Sequence, residues 1–161
     1  MQGSTTLTNS VSVRDAHVSD IPAITAVIHG IGLFTPEEAD GFASSLPSHF
    51  EGETEGRVWL ITEDGMGAAY LSPEASPGVW NLLFLGVRLE ARRVGLARAL
   101  IGEVERRLRQ DSARMLLIDT STEPPMEAAR ALYAALGYKQ VGLIPDYWGP
   151  GDGKLTFHKR L

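Results

Sequence analysis

The sequence has no cysteine. That excludes disulfide frameworks, thiolate zinc sites and any acyl-enzyme carried on a thiol. It also lacks an apolar run approaching the roughly 18 residues of a membrane span, so no membrane partner is expected. Its first ten residues, MQGSTTLTNS, have neither the basic nor the apolar segment of a signal peptide, and they read as a flexible N-terminus. Basic residues are in the minority, 15 against 20 acidic. The net charge of −5 argues against nucleic acid as a main partner, because phosphate contacts need a basic face. Histidines 17, 29, 49 and 158 show no short-range ligand spacing, so no metal is expected. What remains is 161 residues, 43% hydrophobic and 22% charged, the balance of one soluble domain over residues 11–161, with the cytoplasm as its default location.

Charge is unevenly spread. Seven of the basic residues are arginines between Arg88 and Arg109. Residues 37 to 64 hold eight acids against Arg57 alone. The first stretch can host an anion; the second is either an ordinary solvated face or an attractor for a cation.

Hydrophobic periodicity orders the elements. VSVRDA (11–16) alternates like a half-buried strand. A helix follows from Ser19 or Asp20 through IPAITAVIH, with Pro22 in its first turn. TPEEADGFASSL (35–46) opens with a capping box, Thr35 and Glu38, and predicts a second helix. RVWLITEDGMGAAYL is two strands turning at Asp64-Gly65. A strand over 79–88, an amphipathic helix over 95–110 and an apolar-centred strand over 114–121 make a strand–helix–strand unit with parallel strands. MEAARALYAAL is a further helix ending at Gly137. YKQVGLI and KLTFHKRL then form a strand pair around PDYWGPGDG. The fold class is α/β: one mixed, mostly antiparallel sheet with a central parallel unit and helices on both faces.

EARRVGLARAL (90–100) lies where the 79–88 strand turns into a helix. A helix N-terminus presents unpaired N–H groups and the positive end of its dipole, which suits an anion such as phosphate. Gly95 has no Cβ to hold a phosphate away, and Arg92 and Arg93 add charged forked donors. No GxxxxGK[ST] string exists, and the nearest approach to GxGxxG, GMGAAY, lies in the hairpin rather than after the first strand.

Arg92-Arg93-Val94-Gly95-Leu96-Ala97 resembles the [QR]-x-x-G-x-[GA] loop of the GNAT acyltransferase superfamily, placed after a strand ending in Val87 as in that family. ARALYAALGYKQVG resembles the later segment in which A-x-x-x-Y on a helix leads through Gly-aromatic into the sixth strand. Element order extends the likeness over roughly residues 11 to 161. The resemblance implies acetyl-CoA as cosubstrate, with Arg92, Arg93, Val94, Gly95, Leu96, Ala97 and Arg98 around its pyrophosphate. It implies that Leu85, Gly86 and Val87 face its pantetheine arm where two parallel strands splay. A glycine inside a strand also fits a bulge or a close backbone approach. Leu89 stands where the family often has proline, Arg93 where it often has a second glycine, and Met126 where many members carry an asparagine.

The implied activity is acetyl transfer to a primary amine, a small molecule or a peptide amino group, by direct attack in a ternary complex. Amides near Leu85 would donate to the developing oxyanion. Tyr133 matches the tyrosine proposed as general acid toward the CoA sulfur. A phenol near 10 facing a thiol near 8.5 makes hydrogen-bond stabilisation of the thiolate the easier role. Packing against Ala129 and Leu136 would equally explain Tyr133. No residue identifies itself as general base: Asn81 cannot titrate, while Asp119, His49, Glu74 and a water chain remain open. The acceptor site is expected between the first helices and the late hairpin, where Tyr147 and Trp148 lie. Relatives are often dimers, so a homodimer is possible. The alternative reading is a non-catalytic module that binds or senses acyl-CoA.

Overall fold

The computed structural model describes residues 11–52, 54–92 and 94–161. The expectations placed on residues 1–10 and on Arg93 lie outside the described residues.

Seven strands form one sheet in the order β1-β2-β3-β4-β5-β7-β6. They are β1 (Val13–Asp15), β2 (Val58–Thr62), β3 (Gly67–Pro73), β4 (Val79–Val87), β5 (Met115–Ser121), β6 (Lys139–Gly149) and β7 (Asp152–Arg160). Among the described strands only β4 and β5 run parallel, joined by helix α4 (Leu96–Gln110). The remaining α-helices among the described residues are α1 (Ile21–Gly30), α2 (Pro36–Ala43), α3 (Leu46–Glu51) and α5 (Glu127–Ala135). No helix among the described residues is long and apolar enough to cross a membrane.

The period-2 pattern of the strands divides the core in two. Leu60, Ala69, Leu71, Leu82, Leu116 and Ile118 point to one face, where Leu100, Ile101, Val104 and Leu108 of α4 and Tyr133 of α5 cover them. Trp59, Ile61, Ala68 and Phe84 point to the other, beneath Ile24, Val27 and Ile28 of α1, Ala39 of α2 and Leu46 of α3. Helices therefore lie on both faces. The second core draws strand residues only from β2, β3 and β4; beyond them, on that same face, Leu117, Asp119, Thr156 and His158 are half-buried.

The span TPEEADGFASSL folds as expected at its start and differently at its end. Thr35 Oγ1 accepts from Glu38 N at 3.2 Å and Glu38 Oε2 accepts from Thr35 N at 2.9 Å, closing the capping box. The helix then stops at Ala43 rather than running on, and α3 begins at Leu46. The Ser44 and Ser45 hydroxyls donate back to Gly41 O and Phe42 O, at 2.6 and 2.7 Å. Pro47 then restarts the chain at the head of α3, a position that needs no N–H donor. The late hairpin is also tighter than a loop. β6 continues to Gly149 through a bulged stretch in which Asp146 has φ 56°, its carboxylate accepting from Gly151 N at 2.7 Å.

Glu105 belongs to the buried stripe of α4 although it is charged. It is 7% exposed, and Tyr138 Oη and Lys159 Nζ both donate to its Oε1 at 2.8 Å. Lys159 also donates to Leu136 O at the end of α5, tying that helix to β7 and α4.

Candidate functional site

The parallel pair is short. β4 and β5 pair only from Val79–Met115 to Leu82–Ile118. Past that point β4 continues to Val87 against β3, and β5 continues to Ser121 against β7. The cause is local: the β3–β4 register jumps between Tyr70–Phe84 and Leu71–Leu82, leaving Leu83 as a bulge residue that is 51% exposed. A bulge bends its strand and ends regular pairing. The two inner edges then face each other across an opening, with no strand between them.

A cleft of about 520 Å³ lies along this opening on the α4–α5 face. Leu85 and Val87 of β4 form one wall; Pro125, Met126, Ala129 and Leu132 form the other; Tyr133 closes the inner part. At the mouth stand Arg92, Gly95, Leu96, Ala97 and Arg98.

The mouth is the start of α4. Gly95 is its N-terminal flanking residue with φ 82° and ψ 13°, a left-handed conformation that a Cβ disfavours. The first helical bond among the described residues runs from Ala99 N to Gly95 O, at 3.0 Å. The N–H groups of Leu96, Ala97 and Arg98 thus have no acceptor within the helix. Among the described residues no side chain caps them, and no acid sits in the first turn. At α2, by contrast, Thr35 and Glu38 satisfy the cap and two acids occupy the first turn. The open donors of α4 and its dipole give this end of the cleft a positive character.

The arginine cluster separates once folded. Arg106 and Arg107 bind Glu103, Arg107 also binds Asp15, Arg109 pairs with Glu105, and Arg88 with Glu90. Arg92 and Arg98, at the cleft, form no ion pair with a described residue. Arg92 instead donates to Ile31 O at 2.8 Å, which fixes its stem beside the mouth.

Of the residues expected at the site, the cleft gathers Leu85, Val87, Arg92, Gly95, Leu96, Ala97, Arg98 and Tyr133. Val94 is 64% exposed and does not line it. Gly86 does not line it either. A Cβ on Gly86 would sit 2.5 Å from Phe84 Cζ and 3.0 Å from Ile31 Cγ2, so the close approach at this glycine comes from the α1 side. Tyr133 is 4% exposed, edge-on to Tyr138 and Phe157, with no hydrogen bond to a described residue. Burial pushes its phenol up to about 12. A group so placed stays neutral and can donate a hydrogen bond.

Tyr147 and Trp148 contact each other edge-to-face at 4.6 Å and are about half exposed. Lys154 Nζ already lies 4.2 Å over the Tyr147 ring, occupying the face a cation would use. His49 sits with Arg57, Trp59 and Tyr70 around a small second pocket, where burial, then the Arg57 charge, lowers its imidazole pKa. The acids of residues 37–64 are largely engaged locally. Glu38 caps α2, Asp40 meets His29, Glu55 meets Arg57, Glu63 meets Arg14, and Asp64 accepts from Thr62 and Met66 in the β2–β3 turn.

Sequence reasoning did not single out Thr120. Its hydroxyl is buried without a partner on β5 just past the last pair, and Asn81 Oδ1 is likewise unpartnered just before it. Two of the three buried side-chain polar atoms without partners among the described residues therefore flank the opening. Such atoms are rare in folded proteins.

Known proteins share this architecture. A GNAT-family acetyltransferase structure from Desulfovibrio desulfuricans is 26% identical, with a TM-score of 0.85 over 93% of this chain and 98% of its own. A phosphinothricin acetyltransferase from Sinorhizobium meliloti, solved with acetyl-CoA, is 22% identical, with a TM-score of 0.72 over 94% of this chain and 89% of its own. The ribosomal-protein-S18-alanine N-acetyltransferase of Escherichia coli is 21% identical, with a TM-score of 0.70 over 93% of each chain. The profile of the acetyltransferase (GNAT) family matches residues 30–138, from the end of α1 to the start of β6. With that match over most of its length, on a sheet split between β4 and β5 above an open helix N-terminus, the chain belongs to the GNAT acetyltransferase family.

Proposed function

We propose that the protein transfers an acetyl group from acetyl-CoA to a primary amine, by direct attack within a ternary complex in the cytoplasm. The observation that carries this reading is the uncapped start of α4, with Gly95 in the left-handed region and Arg92 and Arg98 beside it, at one end of a cleft that leads to the β4–β5 opening and Tyr133. The donors fit a diphosphate: backbone N–H groups at a helix terminus, and two guanidinium groups that no described carboxylate pairs. The apolar walls fit a slender, weakly polar arm. The Sinorhizobium meliloti structure, which contains acetyl-CoA, supports the same assignment.

Acetyl-CoA, when bound, supplies an activated acyl carbon and a thiol leaving group. The chain's own contribution is position and polarity. The unpaired edge of β4 around Leu85 offers backbone N–H groups to an oxygen gaining charge, and such donors cost no reorganisation because the sheet already holds them. Tyr133, with its phenol held up near 12, acts as a neutral hydrogen-bond donor to a developing thiolate. Full proton transfer from it to a thiolate of pKa near 8.5 would be uphill by about 5 kcal/mol. Since the chain has no cysteine, the acetyl group moves to the amine without a thiol-bound intermediate.

Thermal unfolding with and without acetyl-CoA tests the reading, with ADP as a diphosphate control. Ligand at about 100 times its Kd adds roughly 2.7 kcal/mol, or some 5–10 °C for a domain of this size. A rise well above that with ADP supports the assignment, and a screen of primary amines for thiol release then tests transfer. No rise removes it. Binding with no thiol release from any amine would instead favour a non-catalytic acyl-CoA module.

A further inference from the structure

Arg57, alone among the eight acids of residues 37–64, lines the second pocket. That pocket holds about 230 Å³, less than half the volume of the cleft, and shares no lining residue with it. Ser48 and His49 of α3 meet Thr54 and Arg57 of the following turn there, against Trp59 of β2 and Tyr70 of β3. A tight turn sets two of these side by side. Arg57 N donates to Thr54 O at 2.9 Å, across Glu55 and Gly56 with φ of 51° and 81°. Positive φ at both central residues folds the chain back within four residues. Trp59 and Tyr70 are cross-strand neighbours stacked at 4.5 Å, and His49 stands edge-on to Tyr70 at 5.7 Å.

The lining is rich in donors and carries one charge. Arg57 and the Trp59 indole can only donate, and Ser48, Thr54 and Tyr70 bring hydroxyls. Burial, then the Arg57 charge, lowers the His49 pKa, so its ring is neutral at pH 7 and offers one N–H. None of these six side chains makes a hydrogen bond with a described residue, although Trp59 is only 3% exposed. The hydroxyl of Ser45, also at the pocket, is already given to Phe42 O. No acid is among the described lining residues. Arg57 has one described ion-pair partner, the exposed Glu55 at 3.8 Å. A charge-assisted bond is shorter, at about 2.7–2.9 Å.

We propose that this pocket binds the carboxylate of a small monoanionic molecule, at a site separate from the cleft. One guanidinium balances one negative charge, and its planar fork matches a carboxylate. An ammonium would meet the Arg57 charge head-on, and a neutral ligand would leave that charge unbalanced. A phosphate dianion would bring one charge too many into a stretch already crowded with acids. The rings of Trp59 and Tyr70 offer a wall for the apolar part of the ligand. That part is short, because pockets for drug-sized molecules run to roughly 300–1,000 Å³. An occupant would bridge α3 to β2 and β3. It would also touch Trp59, which packs against Phe42 and Phe84 at 6.0 and 5.7 Å in the core of this face.

The test titrates ¹⁵N-labelled full-length protein with sodium propanoate at constant ionic strength. The Trp59 indole N–H and the His49 ring are followed by NMR, together with the backbone amides of Gly95 and Leu96 at the cleft. Propanamide, of the same shape without the charge, is the control, and inorganic phosphate is the competing anion. The expected result is a saturable shift at Trp59 and His49 with propanoate, none with propanamide, and weaker binding of phosphate. Arg57→Gln should weaken propanoate binding about tenfold, the order of one hydrogen-bonded charge. Should that variant misfold, Ser48→Ala is expected to weaken it about threefold, the order of one hydroxyl donor. No saturable shift, an equal response to propanamide, tighter binding of phosphate or wild-type affinity in the variants overturns the proposal. A shift confined to Gly95 and Leu96 places the carboxylate at the start of α4 and overturns it as well.

Discussion

Replacing Gly86 by alanine separates two explanations of a glycine inside β4. The resemblance reads it as room for the cofactor arm; the packing reads it as room for Phe84. An added Cβ would lie 2.5 and 2.9 Å from Phe84 Cζ and Cε1, and 3.0 Å from Ile31 Cγ2, all inside contact distance. Phe84 cannot easily yield. It is 7% exposed and packs against Phe42 and Trp59 with ring centroids 5.3 and 5.7 Å away. Overpacking of this kind costs about 1–3 kcal/mol, and alanine's lower chain entropy returns up to about 1 kcal/mol. The net loss is then roughly 1–2 kcal/mol, a fall in Tm of about 2–8 °C. The assay is thermal unfolding of Gly86→Ala with and without acetyl-CoA. Packing predicts a lower Tm with an undiminished ligand-induced rise. Phe84→Leu should also cost less in the Gly86→Ala background than alone, because the shorter side chain relieves the clash. An unchanged Tm together with a lost ligand response would refute the packing argument and return Gly86 to the cofactor.

On the proposed role of Tyr133 as hydrogen-bond donor to the leaving sulfur, Tyr133→Phe should lower kcat by 10- to 100-fold with little change in the KM for acetyl-CoA. Because burial holds that phenol near 12, the wild-type rate should show no tyrosine limb below pH 10, and a pH–rate profile checks this. Glu105→Ala should cost about 3–5 kcal/mol in urea unfolding, because it strands the Lys159 ammonium and the Tyr138 hydroxyl that now meet the carboxylate. Glu105→Met with Lys159→Met should lose much less. Acid stability follows from two depressed carboxyls. Asp20 falls from 3.8 to about 2, chiefly through its hydrogen bond to Arg14, and Glu103 from 4.5 to about 2 through Arg106. A carboxyl more acidic in the folded state stabilises it above the unfolded value, so this contribution is complete above about pH 5 and disappears as pH falls toward 2. Urea midpoints between pH 2 and 6 should flatten in Asp20→Asn/Glu103→Gln; an unchanged slope would contradict the assignment.

Some of this protein is written in short stretches of its sequence. The Thr35–Glu38 capping box, the Asp64-Gly65 turn, the apolar stripe of α4 and the glycine before it are local patterns, and backbone sterics and side-chain period decide them wherever the chain folds. The order of elements followed from them, and with it the mixed sheet around one parallel unit. Other features depend on residues brought together from far apart. The Leu83 bulge that parts β4 from β5 is a register effect between strands, invisible in a run that is simply apolar. Which arginines serve the cleft depends on where Glu103, Glu105, Asp15 and Glu90 come to lie. Glu105 sits in a buried stripe because Lys159 and Tyr138 arrive from β7 and the end of α5. Asn81 and Asp119 are 38 residues apart in the chain and become one cluster only because parallel strands align them. Charge and hydrogen-bond partners act over a few ångströms of space. The sequence alone therefore determined the scaffold and the phosphate-sized gap at its helix, and the tertiary structure decided which polar groups remain unpaired to meet a ligand.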